Sequence, residues 1–395
     1  MSTPSTALRI YLDHNATTPL SEAALARMGA LQQEAFGNPS SVHWAGQRAG
    51  AAVDEARRQV AGLVGAQPSE VVFTAGGTEA DVAAIWDAVA RARQHSPARR
   101  AVIVTIAADH HAILHTAAHF EALGLAEHRT VGVDRLGHAD LDALGAALDG
   151  ADLLCTLWAN NETGTLADHD AIAARLKDST VRWHCDAVQA AGKVPIDLGG
   201  AAAAHIDTVA LAAHKLHGPK GVGALVLRGG RPFVPLLPGG AQERGRRSGT
   251  LNAPGIAAFG VAAAEARARL DGGVVERVAA LRDRLQDAVF ALAPDSLVNG
   301  DPDRRLPNTL HVSLALGGEW LDGEDLMLGL SQRGIAVATG AACASGSRTP
   351  SHVLRAMGRS PAQAHASVRF SLGHATTAEE LDHVAAALRA LLAPT

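Results

Sequence analysis

The sequence predicts an α/β fold: a large domain on a mostly parallel, seven-stranded sheet flanked by helices, joined to a smaller α+β domain. Two observations carry this expectation. Between Val71 and Leu227 seven short apolar runs occur, with helical patterns between most of them, as in a parallel sheet covered on both faces. From about Leu251 the pattern changes to longer helices with few strands. A chain of 395 residues, 47% of them apolar, is long enough for two cores. The expected large domain spans 16–255, and residues 1–15 with 256–395 form the small one.

Each element has its own signal. Ile10-Tyr11-Leu12 reads as a short strand running into a polar loop, and Pro19 opens a helical pattern through Leu31. Phe36 to His43 is turn-rich, and Gly46–Leu63 is amphipathic and helical. Val71–Thr74 is a strand, followed by the glycine turn Ala75-Gly76-Gly77-Thr78 and a helix to Ala92. Such a turn offers free N–H groups and a positive dipole end to a phosphate. Further strands are expected at Ala101–Ile106, Glu127–Val133, Asp152–Trp158, Val181–Cys185, Ile206–Leu211 and Val222–Leu227. The small domain reads as helices Pro254–Leu270 and Val274–Ala293, strand Asn308–Leu314, helix Glu324–Arg333, and a small-residue loop Ala338–Arg348. A short helix Pro350–Met357, strand Ser367–Leu372 and helix Ala378–Leu392 complete it.

Composition narrows the function. Net charge is −5 with no basic block, which argues against nucleic acid as a partner. No apolar run approaches a membrane span, and Met1–Arg9 lacks a signal-peptide pattern. Cys155, Cys185 and Cys343 are too few and too scattered for a disulfide framework. The expected compartment is the cytoplasm, with thiols reduced.

In open parallel sheets the ligand sits beyond the carboxyl ends of the strands. The residues that follow the strands are Asp109-His110-His111, Asn160-Asn161-Glu162, Asp186-Ala187-Val188-Gln189 and His214-Lys215. Each alone reads as a cap or turn residue. Together they bring a carboxylate, amides, imidazoles and an amine to one crevice. Lys215, one of only four lysines, follows a buried strand and precedes a Gly-Pro turn. Partial desolvation there lowers the amine's pKa and makes it a nucleophile. This set suits pyridoxal 5'-phosphate, which needs a lysine for its aldehyde, a carboxylate at its ring nitrogen and donors for its phosphate.

Longer stretches carry a family resemblance. They are Tyr11-Leu12-Asp13 with Ala16-Thr17-Thr18-Pro19, Gly37-Asn38-Pro39-Ser40-Ser41, Trp158 to Thr165, and Asp186 to Gln189. His214 to His217, Gln242 to Thr250, Cys343 in its loop, and Val368 to Leu372 continue the set. Spanning nearly the whole chain, they resemble the cysteine desulfurases of the nitrogen-fixation and iron–sulfur-cluster type, in the class V aminotransferase family, with pyridoxal phosphate fold type I. The resemblance implies that Lys215 binds the cofactor aldehyde and moves the substrate's α-proton, with Asp186 at the ring nitrogen. Gln189 would donate to the phenolic oxygen, and His110 would stack on the ring and shuttle protons. Gly77, Thr78 and His214 would hold the phosphate, with Thr250 reaching the phosphate of the neighbouring subunit of a homodimer. Asn161 and Arg369 would hold the substrate carboxylate, a task suited to a guanidinium. Cys343 would attack the substrate sulfur and carry it as a persulfide to a sulfur acceptor or iron–sulfur scaffold protein. Cys155 and Cys185 read as small buried hydrophobes.

Two departures stand out. Ala212 occupies a position where the family commonly has a serine or other phosphate-binding residue, and Gly340-Ala341-Ala342 replaces a serine-rich run before the cysteine. Gln242 agrees better with the nitrogen-fixation type. Competing readings are a selenocysteine lyase, another pyridoxal phosphate β-lyase or aminotransferase, and a sulfur carrier without turnover. A metal-dependent hydrolase would use His111, His115 and His119 at helical spacing with His214 and His217, but no H-E-x-x-H pattern appears and no metal is expected.

Overall fold

The computed structural model describes residues 9–200, 203–339 and 350–393. After strand β1 (Ile10–Tyr11) come helices α1 (Glu22–Glu34) and α2 (Trp44–Val64). The large domain continues with β2 (Val71–Thr74), α3 (Gly77–His95), β3 (Ala101–Ile106), α4 (His111–Ala122) and β4 (Ala126–Val131). Then follow α5 (Leu141–Ala147), β5 (Leu153–Leu157), α6 (His169–Leu176), β6 (Arg182–Asp186), β7 (Thr208–Ala212), β8 (Gly223–Leu227) and α7 (Ala253–Asp271). Strands β2 to β8 form one seven-stranded sheet in the order β2-β8-β7-β6-β5-β3-β4. Only β8 runs against its neighbours, so the expected sheet and its parallel character are both present.

Local chemistry sets the element ends. Ser21 accepts from the Ala24 N–H, which starts α1 at Glu22 rather than at Pro19. Asp152 stays outside β5 because its carboxylate accepts the Val102 N–H at 2.8 Å and pairs with Arg99 at 2.7 Å. Beyond Ala212 the chain turns once as a 3-10 helix, Ala213–Lys215, which presents Lys215 at the sheet edge.

Small side chains allow close helix packing. On α2 the buried face holds Ala45, Ala49, Ala52 and Ala56, and on α7 it holds Gly255, Ala258, Ala262 and Ala266. A Cβ on Gly260 would lie 2.5 Å from Ala56 Cα, so the two helices meet backbone to backbone. The few large side chains, Trp183, Phe73 and Phe259, are buried in this domain's core. The boundary expected at residue 256 falls inside α7, whose buried residues through Ala266 belong to the large domain's core. We place the change of domain after this helix, at Gly272-Gly273.

The small domain comprises α8 (Val274–Leu292), β9 (Leu297–Val298), β10 (Thr309–Ser313), and the hairpin β11 (Ala315–Leu316) and β12 (Glu319–Trp320). Helix α9 (Gly323–Gln332), β13 (Ile335–Ala336), β14 (Ala338–Thr339), α10 (His352–Ala356), α11 (Pro361–His365), β15 (Ser367–Ser371) and α12 (Ala378–Leu392) follow. Its sheet is antiparallel, ordered β14-β15-β10-β9. The N-terminal β1 pairs with β13, and Ile10 and Leu12 enter this second core. The chain therefore passes from the small domain to the cleft at residues 13–16.

The loop from Gln242 to Thr250 is held by a buried ion pair. Glu243 accepts from Arg57 at 2.6 and 2.8 Å and from the Phe73 N–H at 3.0 Å. Arg247 pairs with Glu79 on α3 at 2.9 Å, tying the loop to the glycine turn. Removing one partner of a buried pair strands the other, at about 3–5 kcal/mol. Glu243→Ala is expected to lower stability by that amount in urea denaturation, and a loss below about 1 kcal/mol would contradict the assignment.

Candidate active site

The carboxyl ends of the strands open into a cleft of about 410 Å³, a size suited to a small ligand. Gly77, Thr78, His110, Asn161, Asp186, Gln189, His214, Lys215 and Arg369 all line it. Thr250 is exposed on its loop and does not line the cleft. Cys343 lies outside the described residues.

One end of the cleft is built for an anion. Helix α3 starts at Gly77, and Gly76 before it has no side chain to cap it, so first-turn N–H groups are left for a ligand. A Cβ on Gly77 would strike Val188 Cγ2 at 2.7 Å, and one on Gly223 would strike the Gly76 backbone at 2.6 Å. Glycine at these positions lets backbone alone form the cradle. His214 Nδ1 lies 3.2 Å from Thr17 Oγ1 on the far wall. Ala212 contributes only a methyl group to this end.

The other groups are stripped of water. Asp186 ends β6 and accepts the Val188 N–H at 2.8 Å. Burial, and then the neighbouring Asp81 carboxylate, push it up to about 8. Lys215 Nζ donates to the backbone oxygens of Asn15 at 2.6 Å and Ala16 at 2.8 Å. Desolvation and then the Arg369 charge bring its amine down to about 8, against an opposing pull from Asp186. His110 caps α4, its Nδ1 accepting the Ala112 N–H at 3.1 Å. Desolvation and Lys215 push it down to about 4, so at neutral pH it is uncharged with its proton on Nε2.

Arg369 reaches in from β15. It donates to Asp13 at 2.8 Å and to the Asn161 carbonyl at 3.1 Å. Two of its five donors are used in these contacts, and its Nε is buried without a hydrogen-bond partner among the described residues. The fixed fork is thus available to a carboxylate.

Three residues here escaped the sequence reading. Asp81, one turn along α3 from Gly77, meets His184 Nε2 at 3.1 Å behind Asp186. Asn15 joins Lys215, Gln189 and Asn161 through its backbone oxygen and amide. Lys193 donates to Gln189 and Asn15. Helical spacing from the glycine turn points to Asp81; the other two are defined only by tertiary contacts.

The histidine pattern resolves differently from a metal site. His111 and His115 stack with ring centroids 4.4 Å apart, and His352 lies 4.2 Å from His111. Among the described residues no group of three or more His, Cys, Asp or Glu is arranged to hold a metal. Cys155 and Cys185 are fully buried, and burial pushes both thiols well above their ordinary range.

The aminotransferase class-V family model matches residues 10–384. The chain belongs to the class-V aminotransferase family. It is 47% identical over 379 residues to a cysteine desulfurase of Cereibacter sphaeroides, covering 95% of this chain and 94% of that protein. It is 44% identical over 377 residues to the cysteine desulfurase NifS of Azotobacter vinelandii, covering 95% and 90%. A solved NifS-like protein superposes with a TM-score of 0.87 at 33% identity, covering 98% of this chain and 99% of that one.

The cofactor of this class-V family member is pyridoxal phosphate. The cleft fits it: a buried carboxylate short of a cation, a half-buried amine, and a glycine cradle at an uncapped helix start. The amine of Lys215 reacts with an aldehyde only when neutral, so covalent capture of pyridoxal phosphate by the apoprotein should rise with pH. The expected half-point is about pH 8, read by trapping with borohydride at each pH. A half-point above pH 10, the ordinary lysine range, would contradict the desolvated amine.

Proposed function

We propose that the protein is a pyridoxal phosphate-dependent cysteine desulfurase, converting L-cysteine to L-alanine with the sulfur left on Cys343. The observation that carries this reading is the convergence of Lys215, Asp186 and Arg369 on one cleft from β7, β6 and β15. When bound, the cofactor withdraws electrons from the substrate's α-carbon.

The chain's own residues do the rest. Lys215 holds the cofactor's aldehyde, Asp186 faces its ring nitrogen, Gln189 its phenolic oxygen and His110 its ring face. Gly77, Thr78 and His214 receive the phosphate. Asn161 and Arg369 take the substrate carboxylate, which fixes the α-carbon near Lys215. The Lys215 amine, placed beside that carbon, would take the α-proton. Uncharged His110 exchanges a proton at Nε2. The Cys343 thiolate then attacks the substrate sulfur. An S–S bond forms, the Cβ–S bond breaks with its electron pair on carbon, and Cβ is protonated. The balance is L-cysteine and one thiol in, L-alanine and one persulfide out.

The exposed Thr250 supports a homodimer in which it reaches the partner's phosphate site, since its loop is anchored at Glu243 and Arg247 but leaves it free. The sulfur passes to an acceptor or iron–sulfur scaffold protein. The reduced thiols Cys155 and Cys185 fit a cytoplasmic setting, and among the described residues no helix is long and apolar enough to cross a membrane.

The test is product analysis with L-cysteine and a reductant. The parent should release sulfide and alanine in equal amounts. Cys343→Ala should keep the visible absorption of the bound cofactor and lose sulfide release by about 100-fold or more. Parental sulfide release from that variant would overturn the nucleophile assignment.

A further inference from the structure

Behind Lys215, on the side away from the main cleft, lies a second, smaller cavity of about 60 Å³ that Lys193 lines. Lys193 follows Gln189 by four residues along a run of turns, which brings the two side chains together. Its Nζ donates to Gln189 Oε1 at 2.7 Å and to Asn15 Oδ1 at 2.9 Å. Gly192 next to it has φ +75°, and a Cβ there would lie 2.9 Å from Ala266 Cβ on α7, so the turn that delivers the lysine is pinned to the large-domain core.

Backbone carbonyls show which way both amides face. Gln189 Nε2 donates to the Asn15 carbonyl at 2.8 Å, and Asn15 Nδ2 donates to the Asn161 carbonyl at 3.2 Å. A carbonyl only accepts, so each amide must turn its nitrogen toward it and its oxygen toward Lys193. The lysine amine can donate to both oxygens in either protonation state. Asn15 Oδ1 also accepts from Asn308 of the small domain at 3.1 Å.

We propose that Lys193 is a positioning residue: it locks the Gln189 amide so that an N–H of Gln189, and not its carbonyl oxygen, faces the cleft. Gln189 Nε2 has two protons, one used on Asn15, and the other is free for the ligand. Burial, then repulsion from Lys215 and Arg369, push the Lys193 amine well below the lysine range.

The inference rests on the reading that Gln189 meets the cofactor's phenolic oxygen. A donor there stabilises the phenolate, so its loss raises the pH midpoint at which the visible band of bound pyridoxal phosphate titrates. The experiment is that spectral titration on reconstituted holoprotein. Gln189→Leu should raise the midpoint by about one pH unit, as for loss of a hydrogen bond to a charged group. Lys193→Met should raise it by at least half as much. The double variant should rise no further than Gln189→Leu alone, because the two residues act as one unit. Lys193→Arg, which keeps a donor without an acceptor, should retain the parental midpoint. A parental midpoint in Lys193→Met, or additive shifts in the double variant, would overturn the proposal while leaving the cofactor reading intact. A parental midpoint in Gln189→Leu would overturn both. Where Lys193→Met does not fold, Lys193→Arg decides: a midpoint moved as far as in Gln189→Leu sinks the proposal.

Discussion

Asp186 ends β6 and Lys215 stands just past the end of the adjacent β7, and each has lost more from leaving water than it regains from the other. The amine is drawn down and the carboxyl pushed up toward the same pH, about 8. Both groups are therefore poised for a ligand that supplies an aldehyde to one and a cation to the other. The sheet makes this arrangement possible. Asp186 pairs in register with Ala210 of β7, and one 3-10 turn beyond that strand carries Lys215 to the cleft. The carbonyls of Asn15 and Ala16 then aim the amine without neutralising it. Those carbonyls come from the segment that enters from the small domain, so the two domains share the site.

The same logic explains the glycines and alanines. A cradle made of backbone needs glycine where side chains would intrude, and Gly77 and Gly223 meet that need. The α2–α7 contact needs small residues because two helices approach backbone to backbone over a sheet. Few aromatics are required when close packing of small side chains fills the core. The buried Glu243–Arg57 pair then fixes the Gln242–Thr250 loop against α2 and β2, and Arg247–Glu79 ties it to the glycine turn.

Much of this was legible in the chain. Strands Val71–Thr74 and Ala101–Ile106 and helix Ala378–Leu392 match their expected bounds, because apolar runs and caps mark them. The residues after the strands pointed to the cleft, since a parallel sheet sends them there. Asn15 and Lys193 were not legible as site residues. Their roles depend on contacts such as Gln189 to Asn15, 174 residues apart, which no local pattern encodes. Asp81 carried a faint signal, a carboxylate one turn from the glycine cradle, but its partner His184 lies 103 residues away. The i, i+4 spacing on α4 does bring His111 and His115 together as stacked rings, and His352, 241 residues on from His111, packs against His111 through a contact that no local pattern encodes.

One lysine, Lys215, is the proposed covalent anchor, although Lys193 is also half-buried and lies close by. Borohydride reduction of the cofactor-loaded protein followed by peptide mass mapping distinguishes the two directly. The label is expected on the peptide that contains Lys215 and nowhere else. A label on the Lys193 peptide, or none on either, would contradict the account.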